Sequence, residues 1–400
     1  MGAIGILWHA QYPWDVRIEK IAETLVESGE KVYLLSKGKE GLASYEEKGK
    51  VGIARVNARR LSRIGGGRLG AIARAAFPGN PLWLFSAIRF VREKKISLLI
   101  IRDLPVAWAG IAAGKLTGIP VVFDMAENYP AALMAYDKPL YHLILFGNGF
   151  LVKWYERIAA RMANALFVVA QEQKTRLRRK GIMSGKITLV RNTPDLKSLR
   201  SAAATDEASG RKILLYTGKI DRHRGLSTAI GAMPYILREM GDVLLLVVGN
   251  GNDTEALREL VRRMDLSRFV QFAGWKTHRE MYGAIAKSTV CLIPHLKSEH
   301  TDTTVPNKLF DYMLYAKPVL SSNLRPVEGI VNAYECGLIF RSGDSQDLAR
   351  KAVRLLREPE LRRCGENGRQ AVLQRFHWEK DAARILKTVR TVLATGGDYR

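Results

Sequence analysis

The stretch from Val305 through Pro306, Asn307, Lys308 and Asp311 to Pro318 holds the densest chemistry in the chain. Its pattern predicts a loop opening a short amphipathic helix, then an Ala-Lys-Pro turn into an apolar strand. Asp311 is thereby aimed at the carboxyl edge of a sheet. Open α/β sheets hold nucleotides at that edge, where one acid can take both hydroxyls of a ribose. A second constellation follows the apolar run ending at Thr217: Gly218, Lys219 and, five residues on, Arg224. A strand-end glycine lets backbone amides approach a phosphate, and two cations across the turn can close on its oxygens. Gly249 repeats the glycine turn after Val248, and Trp275 follows the strand Val270 to Phe272 either as an aromatic surface beside a base or as a core residue.

The first half offers acids and one unexplained cation. Asp15 is placed to cap a helix, with Glu19 in the first turn, whereas Arg17 is not accounted for by capping. Asp124 and Glu127 end another buried run, Val121 to Asp124. Glu127 is placed to accept a proton from a hydroxyl or to hold that hydroxyl, and Asp124 to cap the turn.

These groups need a scaffold, and the sequence supplies one in duplicate. Four hundred residues exceed one ordinary core and suit two α/β domains with a cleft between them. Apolar residues at 47% and charged residues at 26% place the chain among globular proteins. Strands are predicted at Ala3 to Trp8, Lys31 to Ser36, Val51 to Val56, Ser97 to Ile101, Pro120 to Asp124, Ala165 to Ala170 and Ile187 to Arg191. Between them lie helices such as Val16 to Ser28 and Val106 to Thr117, each closed by a glycine. A polar stretch, Leu199 to Gly210, reads as a linker, and a second strand and helix series starts at Lys212. The expected domains are 1–195 and 211–377. No stretch of about 18 apolar residues suggests a membrane span. The opening residues read as a first strand rather than a secretion signal. Cys291, Cys336 and Cys364 show neither metal-ligand spacing nor a disulfide framework, which suits a reducing compartment.

The Val305 to Pro318 stretch strongly resembles the donor-site motif of GT-B glycosyltransferases of family GT4 (glycosyl transferases group 1), commonly Pro-Asn-Lys-Leu-Phe-Glu-Tyr-Met-Ala-Ala-Gly-Lys-Pro-Val. Asp311 stands where that motif has its final glutamate. Lys219 and Arg224 occupy the places of the family's diphosphate-holding Arg and Lys, with the two types exchanged. The family's other acid position falls on Thr303. Asp302 is its nearest substitute, and the amides of Thr304 and Val305 with the hydroxyls of Thr303 and Thr304 are the other candidates for sugar or phosphate. Tyr12, Asp15 and Arg17 resemble the family's Tyr-Pro-x-Asp-x-Arg loop, which faces the acceptor. Asp124 and Glu127 resemble its Asp-x-His-Glu, with Ala126 in place of the histidine. The resemblance implies two facing Rossmann-like domains, the first binding acceptor and the second nucleotide-sugar, with a last helix within 378–400 crossing back onto the first. It also implies transfer with retention of configuration, catalytic roles for Glu127, Lys219 and Arg224, no metal, and no cofactor beyond the nucleotide-sugar co-substrate.

A net charge of +24 predicts attraction to a polyanion. From Arg55 to Arg102 the cations Arg59, Arg60, Arg63, Arg68, Arg74, Arg89, Arg92, Lys94 and Lys95 meet one acid, Glu93, among Phe77, Trp83, Phe85 and Phe90, with Gly65 to Gly67 suggesting a mobile loop. Farther on, Pro139 to Phe146 and Phe150 to Tyr155 suit interfacial helices beside Lys153 and Arg157. Anionic membrane is the expected surface and a lipid-linked molecule the expected acceptor, at the cytoplasmic face. No nucleic-acid motif accompanies the cations. Two rivals remain: a GT-B nucleotide-sugar epimerase, and a non-catalytic scaffold that binds nucleotide or membrane.

Overall fold

The computed structural model describes residues 2–12, 15–39, 41–56, 81–135, 149–196, 210–357 and 359–396. The chain divides into two compact units, Met1–Val190 with Asp381–Arg400, and Arg191–Lys380. The polar stretch predicted as a linker falls outside the described residues except at Gly210. So do Pro13 and Trp14, the segment Pro139 to Phe146, Gly65 to Gly67, and Arg59, Arg60, Arg63, Arg68, Arg74 and Phe77.

In the first unit the strands β1 (Ala3–Gln11), β2 (Val32–Lys37), β3 (Tyr45–Lys48), β4 (Val51–Val56), β5 (Ile96–Arg102), β6 (Val121–Met125), β7 (Ala165–Val168) and β8 (Ile187–Leu189) form one sheet. Its order is β3-β4-β2-β1-β5-β6-β7-β8. The pairs are parallel except β3 with β4. The inner strands are buried on both faces, which is why they read as unbroken apolar runs. Strand β3, Tyr-Glu-Glu-Lys, carries no such run. It is a hydrophilic edge, and the sequence pattern passed over it. Helix Val16–Glu27 starts at Asp15, whose side chain accepts from the Ile18 N–H, and helix Ala107–Thr117 ends at Gly118 in the left-handed region. Close to the C-terminus, Thr388 Oγ1 meets Thr188 Oγ1 at 2.9 Å.

The second unit repeats the plan with β9 (Lys212–Thr217), β10 (Val243–Val248), β11 (Val270–Gly274), β12 (Val290–Ile293), β13 (Val319–Ser322) and β14 (Gly337–Phe340). The order β11-β10-β9-β12-β13-β14 is parallel throughout. In each sheet the strand order reverses at one place, between β1 and β5 and between β9 and β12. A crevice opens there because the connections leave to opposite sides.

Part of the basic belt differs from expectation. Trp83 and Phe90 lie in the core of the first unit, packed inward by helix Pro81–Glu93, while Phe85 points outward. Trp83 is therefore a core residue and not a membrane-inserting one. Helix Gly149–Met162 does present Phe150, Leu151 and Trp154 to solvent. Among the described residues no helix is long and apolar enough to cross a membrane.

Candidate active site

The second unit gathers cations where β9 and β12 end. Helix Lys308–Leu314 is pinned to β9 by Tyr312, whose hydroxyl accepts the Thr217 N–H at 2.9 Å. This places Lys308 Nζ 3.7 Å from the centre of the Tyr216 ring. Burial and the nearby Arg224 push the Lys308 ammonium well below its usual range, with Asp311 opposing. Arg224 Nη1 lies 3.4 Å from both ring nitrogens of the buried His295, and Arg224 Nε is buried without a hydrogen-bond partner among the described residues. Burial first, then Arg224, holds His295 well below the usual histidine range, and the same causes take His223 down to about 4. Both imidazoles are neutral at pH 7, so the standing charge of this corner rests on Arg224, with the buried Lys308 ammonium disfavoured until an anion comes beside it. Lys219 is mostly exposed and pairs with Asp221 at 2.8 Å.

Other residues named from the sequence have structural engagements. Gly218 and Gly249 stand at φ 122° and 144°, and a β-carbon on Gly249 would lie 1.9 Å from Gly218 O. Their amides already donate to Val248 O and Gly274 O, both at 2.8 Å, so these glycines serve the contact between strand-end loops rather than offering free amides to a phosphate. Asp302 Oδ1 accepts the Arg325 N–H at 3.0 Å, satisfying an end of helix Arg325–Ala333. The Thr303 hydroxyl donates to Glu299 O and His300 O, and that of Thr304 to His300 O. Val305 is buried and Asn307 exposed. Trp275 is 71% exposed, which removes the core reading and leaves an open aromatic face beyond β11.

In the first unit, Arg17 and Asp124 pair with each other rather than presenting themselves to a ligand. Arg17 Nε and Nη2 bind the Asp124 carboxylate at 2.6–3.0 Å and Nη1 donates to Val190 O at 3.0 Å, all of it buried. The pair ties helix Val16–Glu27 to the ends of β6 and β8. Tyr12 is buried too, its phenol pushed up to about 12 by burial and then by Glu19 and Glu23. Asp15 and Glu127, however, both line a cavity of about 370 Å³ with Trp8, His9, Arg102 and Asp103. Arg102 is its organising cation, ion-paired with Asp103, 3.3 Å from Asp15 Oδ2 and 3.7 Å from Asp124 Oδ2. Sequence reasoning passed over Arg102, Asp103, His223 and His295. The signal was present, since Arg102-Asp103 and Pro294-His295 each end an apolar strand, where a charged or imidazole side chain has no packing reason to stand.

Residues 211–358 match the family model for glycosyl transferases group 1, and residues 15–193 match that of the glycosyl transferase 4-like domain. The chain belongs to the group 1 (GT4) glycosyltransferases. Among its relatives in this family, the phosphatidyl-myo-inositol mannosyltransferase of Mycobacterium leprae is 28% identical over 251 residues, 62% of this chain and 63% of the relative. The alpha-D-kanosaminyltransferase of Streptomyces kanamyceticus is 24% identical over 265 residues, 63% and 66% of the two chains. The matched stretch thus spans less than two thirds of these relatives' lengths. In fold, the chain resembles the sucrose-phosphate synthase of Thermosynechococcus elongatus at a TM-score of 0.79 and 18% identity, covering 99% and 100% of the chains. Anabaena Alr3699/HepE, solved with UDP-glucose, follows at 0.71 and 14%, covering 97% and 99%. These neighbours are GT-B enzymes, and the mixed α/β fold with two parallel-sheet domains is theirs.

Proposed function

We propose that this chain moves a sugar, with retention of configuration, from a nucleotide-sugar to a hydroxyl of a lipid-linked acceptor in cell-surface polysaccharide or glycolipid synthesis. The observation that carries the reading is the pairing of Arg224 and Lys308 at the β9 and β12 ends, with Asp311 on the same short helix as Lys308. Arg224 and the buried Lys308 beside it suit a leaving diphosphate, against which Lys308 regains its charge and whose developing charge the two stabilise without a metal, while Asp311 suits the ribose hydroxyls. Lys219, already bound to Asp221, adds charge from the rim. A lipid-linked acceptor is supported by the mannosyltransferase relatives, whose name includes phosphatidyl-myo-inositol. The exposed Phe150, Leu151 and Trp154 beside Lys153 and Arg157 suit the anionic, cytoplasmic face of a membrane.

Donor consumption with and without a membrane lipid extract, in chelator, tests the reading. A transferase consumes donor faster with acceptor and ignores the chelator. An epimerase isomerises the donor alone, a scaffold does neither, and activity restored only by added magnesium or manganese overturns the metal-free clamp.

A further inference from the structure

Arg224 stands on a loop that is locked to the end of β12. Gly225, at φ 66°, lets the loop approach so closely that a β-carbon there would stand 2.0 Å from Pro294 O. The Leu296 N–H donates to His223 O at 2.9 Å, and the Ser322 hydroxyl, reaching from β13, donates to His295 O at 2.5 Å. The backbone on both sides of the contact between Arg224 and His295 is therefore fixed, which leaves the meeting of the two side chains to decide where the guanidinium points.

That meeting is a stack. Arg224 Nη1 is equally far, 3.4 Å, from both ring nitrogens of His295, so it lies on the plane that divides the ring between them. Within the ring plane that distance would bring it inside the contact distance of a ring carbon. The guanidinium therefore sits over the ring face, where the π-cloud attracts a cation. Such a face attracts only while the ring is uncharged. Burial first, and then Arg224, Lys308, His223 and His300, all of them bases, keep His295 in that state. Arg224 thus has a partner that orients it without neutralising it, and its Nε is buried without a hydrogen-bond partner among the described residues, a donor that a ligand oxygen would satisfy. Lys219, on the same loop, shows the alternative, an ion pair with Asp221 at 2.8 Å with which an incoming anion has to compete.

We propose that His295 is a positioning residue for Arg224, its ring face fixing the guanidinium where the donor's diphosphate binds while leaving that charge uncompensated. The inference rests on the transferase reading above, which supplies the diphosphate. It does not require His295 to touch the donor.

Pyrophosphate, which carries a diphosphate without base or sugar, is the probe, read by calorimetry against His295→Phe, His295→Leu and His295→Glu. Phe keeps a flat uncharged face and is expected to bind within about threefold of the wild type, whereas Leu keeps apolar volume without the face and is expected to lose about tenfold. Glu, whose carboxylate pairs with Arg224, is expected to lose at least as much although it melts no lower than Leu. A role in packing alone would instead make affinity follow melting temperature. A double-mutant cycle of His295→Leu with Arg224→Ala, in denaturant and without ligand, tests the stack by itself, and the two effects should fall short of additive. Additive effects, or pyrophosphate binding by His295→Leu or His295→Glu equal to that of the wild type, overturn the proposal. So does a folded His295→Phe that binds as poorly as His295→Leu. If the cycle shows coupling but the wild type binds no pyrophosphate, the donor reading fails while the positioning of Arg224 by His295 stands.

Discussion

Two strand-edge sites, one in each unit, are built on the same parallel plan and collect opposite charge. Where β9 and β12 end, Arg224, Lys308 and the rim Lys219 surround neutral histidines, with Asp311 nearby. Where β1 and β5 end, Asp15, Asp103 and Glu127 surround Arg102. A sheet's topology supplies the crevice, and the loops that leave its strands decide what the crevice accepts. The contrast separates a corner of cations and neutral imidazoles from one lined by carboxylates.

The largest expected effect in the first unit comes from removing the cation that neutralises the buried Asp124. Arg17→Ala leaves the Asp124 carboxylate buried without its bidentate partner, an expected loss of about 3–5 kcal/mol in a denaturant titration. A variant of near wild-type stability that failed only in transfer would return Arg17 to the ligand-binding set. On the cationic side, Arg224→Ala is expected to lower turnover by about a hundred- to a thousand-fold, as removal of a group that stabilises transition-state charge does. Unchanged kcat in a folded variant would dissolve the contrast between the two edges. Asp311→Ala should weaken nucleotide binding by about 1.5–3 kcal/mol, roughly ten- to a hundred-fold, and calorimetry with the nucleoside diphosphate reads it directly.

A pH scan sharpens the comparison further. Because burial raises the folded Asp103 carboxyl to about 7, the native state keeps a proton that the unfolded chain has released. Its contribution to stability is full below the ordinary carboxylate range and is lost as pH rises through about 7. Unfolding curves between those limits should slope for the wild type and flatten for Asp103→Asn; equal slopes would show that Asp103 does not titrate there. The smallest effect concerns the membrane. Replacing Lys153 and Arg157 by Ser should weaken binding to anionic vesicles by about 1 kcal/mol per cation, and salt should weaken it likewise. Vesicle binding unaltered by both substitutions and salt would detach this helix from the acceptor side.

The fold was legible because strands buried on both faces must be apolar throughout, and because helix ends such as Asp15 and Gly118 write their own signals. The edge strand Tyr45–Lys48 escaped since an exposed strand needs no such run. The helix bearing Lys308 and Asp311 was readable for a similar reason: its residues are neighbours in the chain, so their spacing already states their geometry. Sequence by itself determined the two α/β sheets, the glycine turns at the strand ends and the carboxylate on the Lys308–Leu314 helix, all of which are local consequences of periodicity and backbone preference. Only tertiary structure decided what each charge was for. Arg17 reaches across 107 residues to be neutralised by Asp124, Asp302 is spent on a helix end, and Trp83 turns inward, while Asp103 is kept at a strained backbone beside Arg102. Whether a side chain meets solvent, a partner or a cavity depends on residues far away in sequence, because burial and ion pairing are properties of the packed chain rather than of any segment within it.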